Sequence, residues 1–187
     1  MVSASATHVH VVWEDDTPDT DVPEVYYTKS TDGGDNWASN RRITYTSGGS
    51  LNPDLAVDPF GDLHAVWEDW TPGSYEIYYK KSTDGGATWT SAERLTWTPD
   101  ISRFADILAD PSGQLHVVWR DRTPGNYEVY YRESTDGGIT WEAKRRLTWT
   151  FGESYNPVIA VEASGALHVV WFDNTPGNYE IYYKKRT

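Results

Sequence analysis

The sequence predicts an all-β fold: a β-propeller, or part of one, made of four-stranded blades of about 52 residues. Three observations predict it. One module recurs. His64-Ala-Val-Trp67-Glu-Asp69 returns as His116-Val-Val-Trp119-Arg-Asp121, and again as His168-Val-Val-Trp171-Phe-Asp173, each copy 52 residues after the last. An earlier copy, His10-Val-Val-Trp13-Glu-Asp15, lies 54 residues before His64, with the two extra residues in the loop 17–23. Secondly, each unit reads as short runs rich in Val, Ile, Tyr, Trp and Thr, bounded by Gly, Pro, Asp and Asn. That is the signature of strands, and no helical period is sustained anywhere. Thirdly, both faces of the runs are partly apolar. Leu115, Val117 and Trp119 alternate with His116 and Val118, and Tyr127, Val129 and Tyr131 alternate with Tyr130. A lone sheet with one wet face does not have this pattern, whereas sheets stacked face to face around an axis do.

The repeat units fall at 8–46, 52–98, 104–150 and 156–187 of a single domain. In the second unit, strand A is expected near Pro53–Asp58, B at Leu63–Asp69, C at Tyr75–Ser82, and D at Thr88–Thr98 with a break in its middle. The first unit shows B, C and D, with no convincing strand A in Met1–Thr7; the last shows A, B and C. That makes fourteen strands, or about three and a half blades.

After each strand C comes a nearly invariant turn: Ser30-Thr-Asp32-Gly33-Gly34-Asp-Asn-Trp37, Ser82-Thr-Asp84-Gly85-Gly86-Ala-Thr-Trp89 and Ser134-Thr-Asp136-Gly137-Gly138-Ile-Thr-Trp141. Asp can accept hydrogen bonds from backbone N–H groups further along the turn. Gly supplies the positive φ of a tight hairpin. The Trp can pack over the turn. Ser-x-Asp-x-Gly-x-x-Trp resembles the Asp-box (BNR) repeat of sialidase-like β-propellers, and three copies in register make the resemblance specific. It implies that Asp32, Gly34, Trp37, Asp84, Gly86, Trp89, Asp136, Gly138 and Trp141 are structural, on the C–D turn away from the ligand face. A Ca²⁺ loop is the alternative, although the alternating acidic ligands of an EF-hand are missing.

The resemblance also puts ligands on the rim of loops B–C and D–A. Loop B–C begins at Asp15, Asp69, Asp121 and Asp173 and ends near Tyr75, Tyr127 and Tyr179; between them one position varies, as Asp16, Trp70, Arg122 and Asn174. Sugars stack on Trp and Tyr faces and offer hydroxyls to carboxylates and amides. Trp70, Arg122, Asn174, Asp69, Asp121, Asp173, Tyr75, Tyr127 and Tyr179 are therefore the candidate ligand residues. The recurring Asp residues have a structural alternative as caps of their loops. The four strand-B His residues and the paired Tyr residues of strand C read as packing groups.

No enzyme site is expected. A sialidase holds the substrate carboxylate with Arg residues from different blades, the first in a Phe/Tyr-Arg-Ile-Pro motif. Here Arg42-Ile43-Thr44 comes closest, lacks the Pro, and repeats as Arg94-Leu95-Thr96 and Arg146-Leu147-Thr148. The formal charge of −12 argues against nucleic acid. The absence of Cys excludes disulfides and thiolate metal sites, and no apolar run is long enough for a membrane-spanning helix. Residues 1–7 lack the pattern of a signal peptide, while the resemblance implies an extracellular or cell-surface setting. The expectation is a non-catalytic, lectin-like module without a cofactor, with a structural or protein-interaction scaffold as the alternative and a glycoside hydrolase behind both. The half-blade ends point to a homodimer that completes a ring, with a piece of a longer array, or four compact blades that close alone, as the alternatives.

Overall fold

The computed structural model describes residues 2–4, 7–16 and 22–186. Among them every helix or strand is a strand, and fifteen strands form four antiparallel sheets. Blade 1 holds β1 (Val2–Ala4), β2 (Val9–Asp15), β3 (Glu24–Ser30) and β4 (Arg41–Arg42). Blade 2 holds β5 (Ser50–Val57), β6 (Leu63–Asp69), β7 (Glu76–Ser82) and β8 (Glu93–Arg94). Blade 3 holds β9 (Ser102–Ala109), β10 (Leu115–Asp121), β11 (Glu128–Ser134) and β12 (Arg145–Arg146). Blade 4 holds β13 (Ser154–Val161), β14 (Leu167–Asp173) and β15 (Glu180–Arg186). Strand order follows chain order in every blade.

Three expectations need correction. Blade 1 does have a strand A: β1 pairs with β2 through Val2↔Val11, Ser3↔His10 and Ala4↔Val9, so the count is fifteen strands in four blades. Three residues are too few to show alternation, and the strand exists because β2 offers an edge to it. Strand A of the later blades starts earlier than expected, at Ser50 in blade 2, because a bulge lies between Leu51 and Asp54. Its pivot is Asn52 at φ 47°, matched by Phe104 at 54° and Asn156 at 44°. Left-handed backbone at a Phe is costly and persists only where packing fixes it. Strand D has only two ladder residues in each of blades 1 to 3, because a side chain takes over from the ladder. The Thr44 hydroxyl accepts Val25 N–H at 2.8 Å, Thr96 accepts Ile77 N–H at 2.9 Å, and Thr148 accepts Val129 N–H at 2.9 Å. The loop 17–23 lies outside the described residues except for Val22 and Pro23.

Packing uses both faces of each blade. Val12, Val25 and Tyr27 of blade 1 pack on Leu63, Ala65 and Trp67 of blade 2. Val66, Ile77 and Tyr79 of blade 2 pack on Leu115, Val117 and Trp119 of blade 3. Val118, Val129 and Tyr131 of blade 3 pack on Leu167, Val169 and Trp171 of blade 4. Trp67 and Trp119 are fully buried, and each such side chain is worth about 2–3 kcal/mol relative to exposure. The strand-B imidazoles face the strand-C hydroxyls of their own blade, each at 2.8 Å: His10–Tyr27, His64–Tyr79, His116–Tyr131 and His168–Tyr183. Burial holds His10, His64 and His116 below the ordinary imidazole range.

The Asp boxes close the C–D turns. Asp84 Oδ1 accepts the Ser82 hydroxyl and Thr88 N–H, both at 2.8 Å, and Oδ2 accepts the Thr88 hydroxyl at 2.6 Å. Gly86 N–H donates to Ser82 Oγ at 2.8 Å. Asp32 and Asp136 repeat the arrangement, with Asn36 and Thr140 as donors. Hydrogen bonds from these neighbours hold all three carboxyls down at about 2.

Candidate functional site

Loops B–C and D–A meet on the rim opposite the Asp boxes. Ser102 N–H donates to Tyr75 O at 2.8 Å, Arg122 N–H to Ile101 O at 3.0 Å, and Ser154 N–H to Tyr127 O at 2.8 Å. Each D–A loop is thereby wedged between the B–C loops of two blades.

Four of the candidate residues are engaged inside their loops. Asp69 is buried; its carboxylate accepts Thr71 N–H at 2.7 Å, the Ser50 hydroxyl at 3.1 Å and Trp67 Nε1 at 3.3 Å. Asp121 accepts Thr123 N–H and the Lys144 ammonium, and Asp173 accepts Thr175 N–H and the Ser154 hydroxyl. Both are buried. Asn174 accepts Glu153 N–H through Oδ1 at 2.7 Å. These three carboxylates are loop caps and leave the ligand set; Asn174 is a loop clamp.

The aromatic and cationic candidates come together. Trp70, 45% exposed, packs edge-on against Tyr75 with ring centres 4.8 Å apart. The Arg103 guanidinium lies 4.2 Å over Tyr75 and 5.1 Å over Phe104. That of Arg120 lies 4.3 Å over Phe104, 4.4 Å over Tyr127 and 4.8 Å over Tyr155. Tyr155 then contacts Phe172 and the exposed Tyr179. Arg122 stands 5.9 Å from Tyr127, at the edge of this strip. Sequence reasoning missed its centre. Glu68, Arg120 and Phe172 are the middle residue of Trp-x-Asp, and the signal was there: x is Glu14, Glu68, Arg120 and Phe172 between constant neighbours.

The two arginines differ in partnership. Arg103 is paired with Glu68 through Nε and Nη2. Arg120 meets Asn156 Oδ1 only at 3.5 Å, and its Nε is buried without a hydrogen-bond partner. Burial lowers its proton affinity. It is a cation framed by π faces.

Beside the strip, a groove of about 250 Å³ is lined by Asn52, Asp54, Phe104, Asp106 and Asn156. Asp54 accepts Ile107 N–H from the next blade at 2.9 Å, and Asp106 accepts Ile159 N–H from the one after at 2.7 Å. Burial, then the hydrogen bond and charge of Asp54, raise Asp106 to about 8. The pair therefore holds one proton at neutral pH. Unfolded carboxyls titrate near 3.9, so the folded chain binds the extra proton, and stability falls as pH rises towards and through 8. About 1 kcal/mol should be lost between pH 7 and 9 in urea melts, and Asp106→Asn should abolish most of that slope. The window stays above the ordinary His range, because the lowered His residues impose the opposite slope below it.

Among the described residues no three ligating side chains come together as a metal site. The sequence profile of the BNR repeat-like domain matches residues 8–184. A search of the curated proteins finds no match. A protein of unknown function from Dyadobacter fermentans superposes with a TM-score of 0.75 at 17% identity, over 95% of this chain and 50% of that one. The α-L-arabinanase of Penicillium chrysogenum, solved with arabinobiose, gives 0.71 at 17%, over 96% of this chain and 59% of that one. The leech intramolecular trans-sialidase, solved with 2,7-anhydro-Neu5Ac, gives 0.59 at 14%, over 96% of this chain and 29% of that one. The chain thus spans about half the length of the Dyadobacter protein, and at these identities the likeness is one of fold. With its profile covering nearly every repeat and four blades of one topology, the chain is a β-propeller that belongs to the BNR repeat-like domain family.

Proposed function

We propose that this chain is a non-catalytic carbohydrate-binding propeller whose ligand lies on the rim of loops B–C and D–A. The strip from Trp70 to Tyr179 carries the reading. Flat aromatic faces suit the apolar faces of sugar rings, and guanidinium groups between them suit hydroxyl or carboxylate oxygens. The same rim exposes Tyr45, Trp97 and Trp149, one in each of blades 1 to 3 and each with an Arg over its ring. That three solved relatives by fold are an arabinanase, a GH93 α-L-arabinofuranosidase and a trans-sialidase agrees with a sugar ligand.

What supports a non-catalytic reading is where the acids are engaged. Asp54 and Asp106 each accept a backbone N–H of the following blade. Glu68 is tied to Arg103. Arg42, Arg94 and Arg146 are each paired with the buried Glu of their own blade.

Intrinsic fluorescence is the direct assay, given ten Trp. Titration with neutral and acidic oligosaccharides should give saturable changes. Trp70→Ala and Arg120→Leu should each weaken binding about tenfold, the loss typical of a well-placed contact residue, without lowering the melting temperature for Trp70→Ala. A panel with no saturable response would remove the sugar reading and leave the scaffold one.

A further inference from the structure

We infer that two copies of this chain close one eight-bladed ring head to tail, blade 4 of each packing on blade 1 of the other. The two outer faces of the chain are the halves of a junction that it already makes internally. At the junction of blades 1 and 2, Tyr27 meets Trp89 edge-on at 5.5 Å; at that of blades 2 and 3, Tyr79 meets Trp141 at 5.1 Å. The box glycines let these Tyr residues in: a Cβ on Gly86 would collide with Tyr27, and one on Gly138 with Tyr79. Blade 4 presents the next Tyr of the series, Tyr183, 57% exposed where Tyr27 and Tyr79 are 3% and 2%. Blade 1 presents the matching box. Trp37 is 47% exposed, and a Cβ on Gly34 would meet nothing nearer than Trp37 at 4.0 Å. The halves do not meet within one chain.

Polar groups repeat the match and indicate which partner fits. One strand-C position reaches back to the carbonyl just after strand D of the preceding blade. Lys80 Nζ donates to Ile43 O at 2.6 Å, Arg132 Nη1 to Leu95 O at 2.6 Å, and Lys184 Nζ to Leu147 O at 2.9 Å. In blade 1 this position is Thr28, whose hydroxyl turns to its own blade at Ala38 O. The next position reaches forward to a box carbonyl of the following blade. Lys29 Nζ donates to Gly85 O at 2.7 Å and Lys81 Nζ to Gly137 O at 3.3 Å. In blade 3 it is Glu133, which pairs with Arg186 instead. In blade 4 it is Lys again, Lys185.

Blade 4 is thus equipped to face a box, and blade 1 to follow a blade without a strand D. A second copy offers the box, at Gly33–Trp37. The four described blades of two copies make eight, within the typical range of about four to eight. A two-fold axis between the copies makes the junction twice, Tyr183 of each meeting the box of the other, as an isologous interface requires.

The test is mass in solution. Light scattering across a range of concentrations should give twice the chain mass and nothing larger. Trp37→Ala and Tyr183→Ala remove exposed side chains, so both variants should keep the wild-type circular dichroism. Each should raise the dimer dissociation constant at least about tenfold. Mixing the two variants restores one intact junction, and should give a dimer tighter than either variant makes alone. A wild-type monomer, which would assign the faces to further repeats or to another partner, overturns the proposal. So does a series of species larger than two, or a dimer that survives Trp37→Ala.

Discussion

Glu128→Ala should cost about 3 kcal/mol of unfolding free energy and Glu180→Ala under about 0.5 kcal/mol, although both stand at the first residue of strand C. Glu128 is fully buried. Its oxygens accept Arg146 Nη2 at 2.7 Å, Thr150 N–H at 2.8 Å, Asn126 Nδ2 at 3.1 Å, and the Thr148 hydroxyl. Thr148 in turn accepts the ladder N–H of Val129. The carboxylate therefore holds the end of strand D onto strand C, where the ladder is only two residues long. Ala would leave a partly buried guanidinium, a hydroxyl and a backbone N–H without their acceptor, and each buried orphan costs about 1–3 kcal/mol. Because Arg146 keeps some contact with water, the sum stays near the lower end for a broken buried pair. Glu180 is exposed and meets only Asn178, since no strand D pairs β15 among the described residues. Urea melts of both variants decide the point; equal losses would show that neither the burial of Glu128 nor its latch contributes.

The same latch explains what the sequence revealed and what it withheld. The repeat, the three later strands B and C and the Asp boxes were legible, because each depends on residues adjacent in the chain. Alternation at Leu115–Asp121 correctly announced two buried faces, and the boxes fold on their own Ser, Asp and Gly. Strand D was drawn too long because Arg146-Leu147-Thr148 looks like a strand, whereas its Thr leaves the ladder to bridge Val129 and Glu128. Strand A of blade 1 was invisible at three residues. For the rim, Trp70 stands against Tyr75 and Arg122 near Tyr127, while the recurrence of Asp69, Asp121 and Asp173 already spoke for caps. The centre of the strip was hidden for a different reason. Phe104 and Arg120 lie 16 residues apart in sequence, and only the bulge at Phe104, with φ at 54°, turns its ring under the Arg120 guanidinium. The variable middle residue of Trp-x-Asp singles out Arg120, but no local pattern encodes its crossing with Phe104.

Gly138→Ala should cost about 3 kcal/mol, and Gly34→Ala, at the same place in the first box, about 1 kcal/mol. Both glycines have positive φ, +84° and +104°, so both variants carry the strain of an L-residue in that region. The difference lies in what stands beside them. A Cβ on Gly138 would fall on the Tyr79 hydroxyl and ring. Tyr79 cannot step aside without loss: its hydroxyl is 2.8 Å from His64 Nδ1, its ring packs edge-on with Trp141, and it is 2% exposed. The overlap therefore forces apart the second and third blades, and overpacking of this kind adds about 1–3 kcal/mol to the strain. At Gly34 the Cβ enters open space in the single chain. Thermal or urea melts of dilute protein should show the contrast directly, and a similar loss at both sites would mean that backbone strain alone governs the box. In the proposed dimer Gly34→Ala would acquire a second effect, because its methyl group would lie where Tyr183 of the other copy enters. Its cost should therefore grow with protein concentration, while that of Gly138→Ala should not.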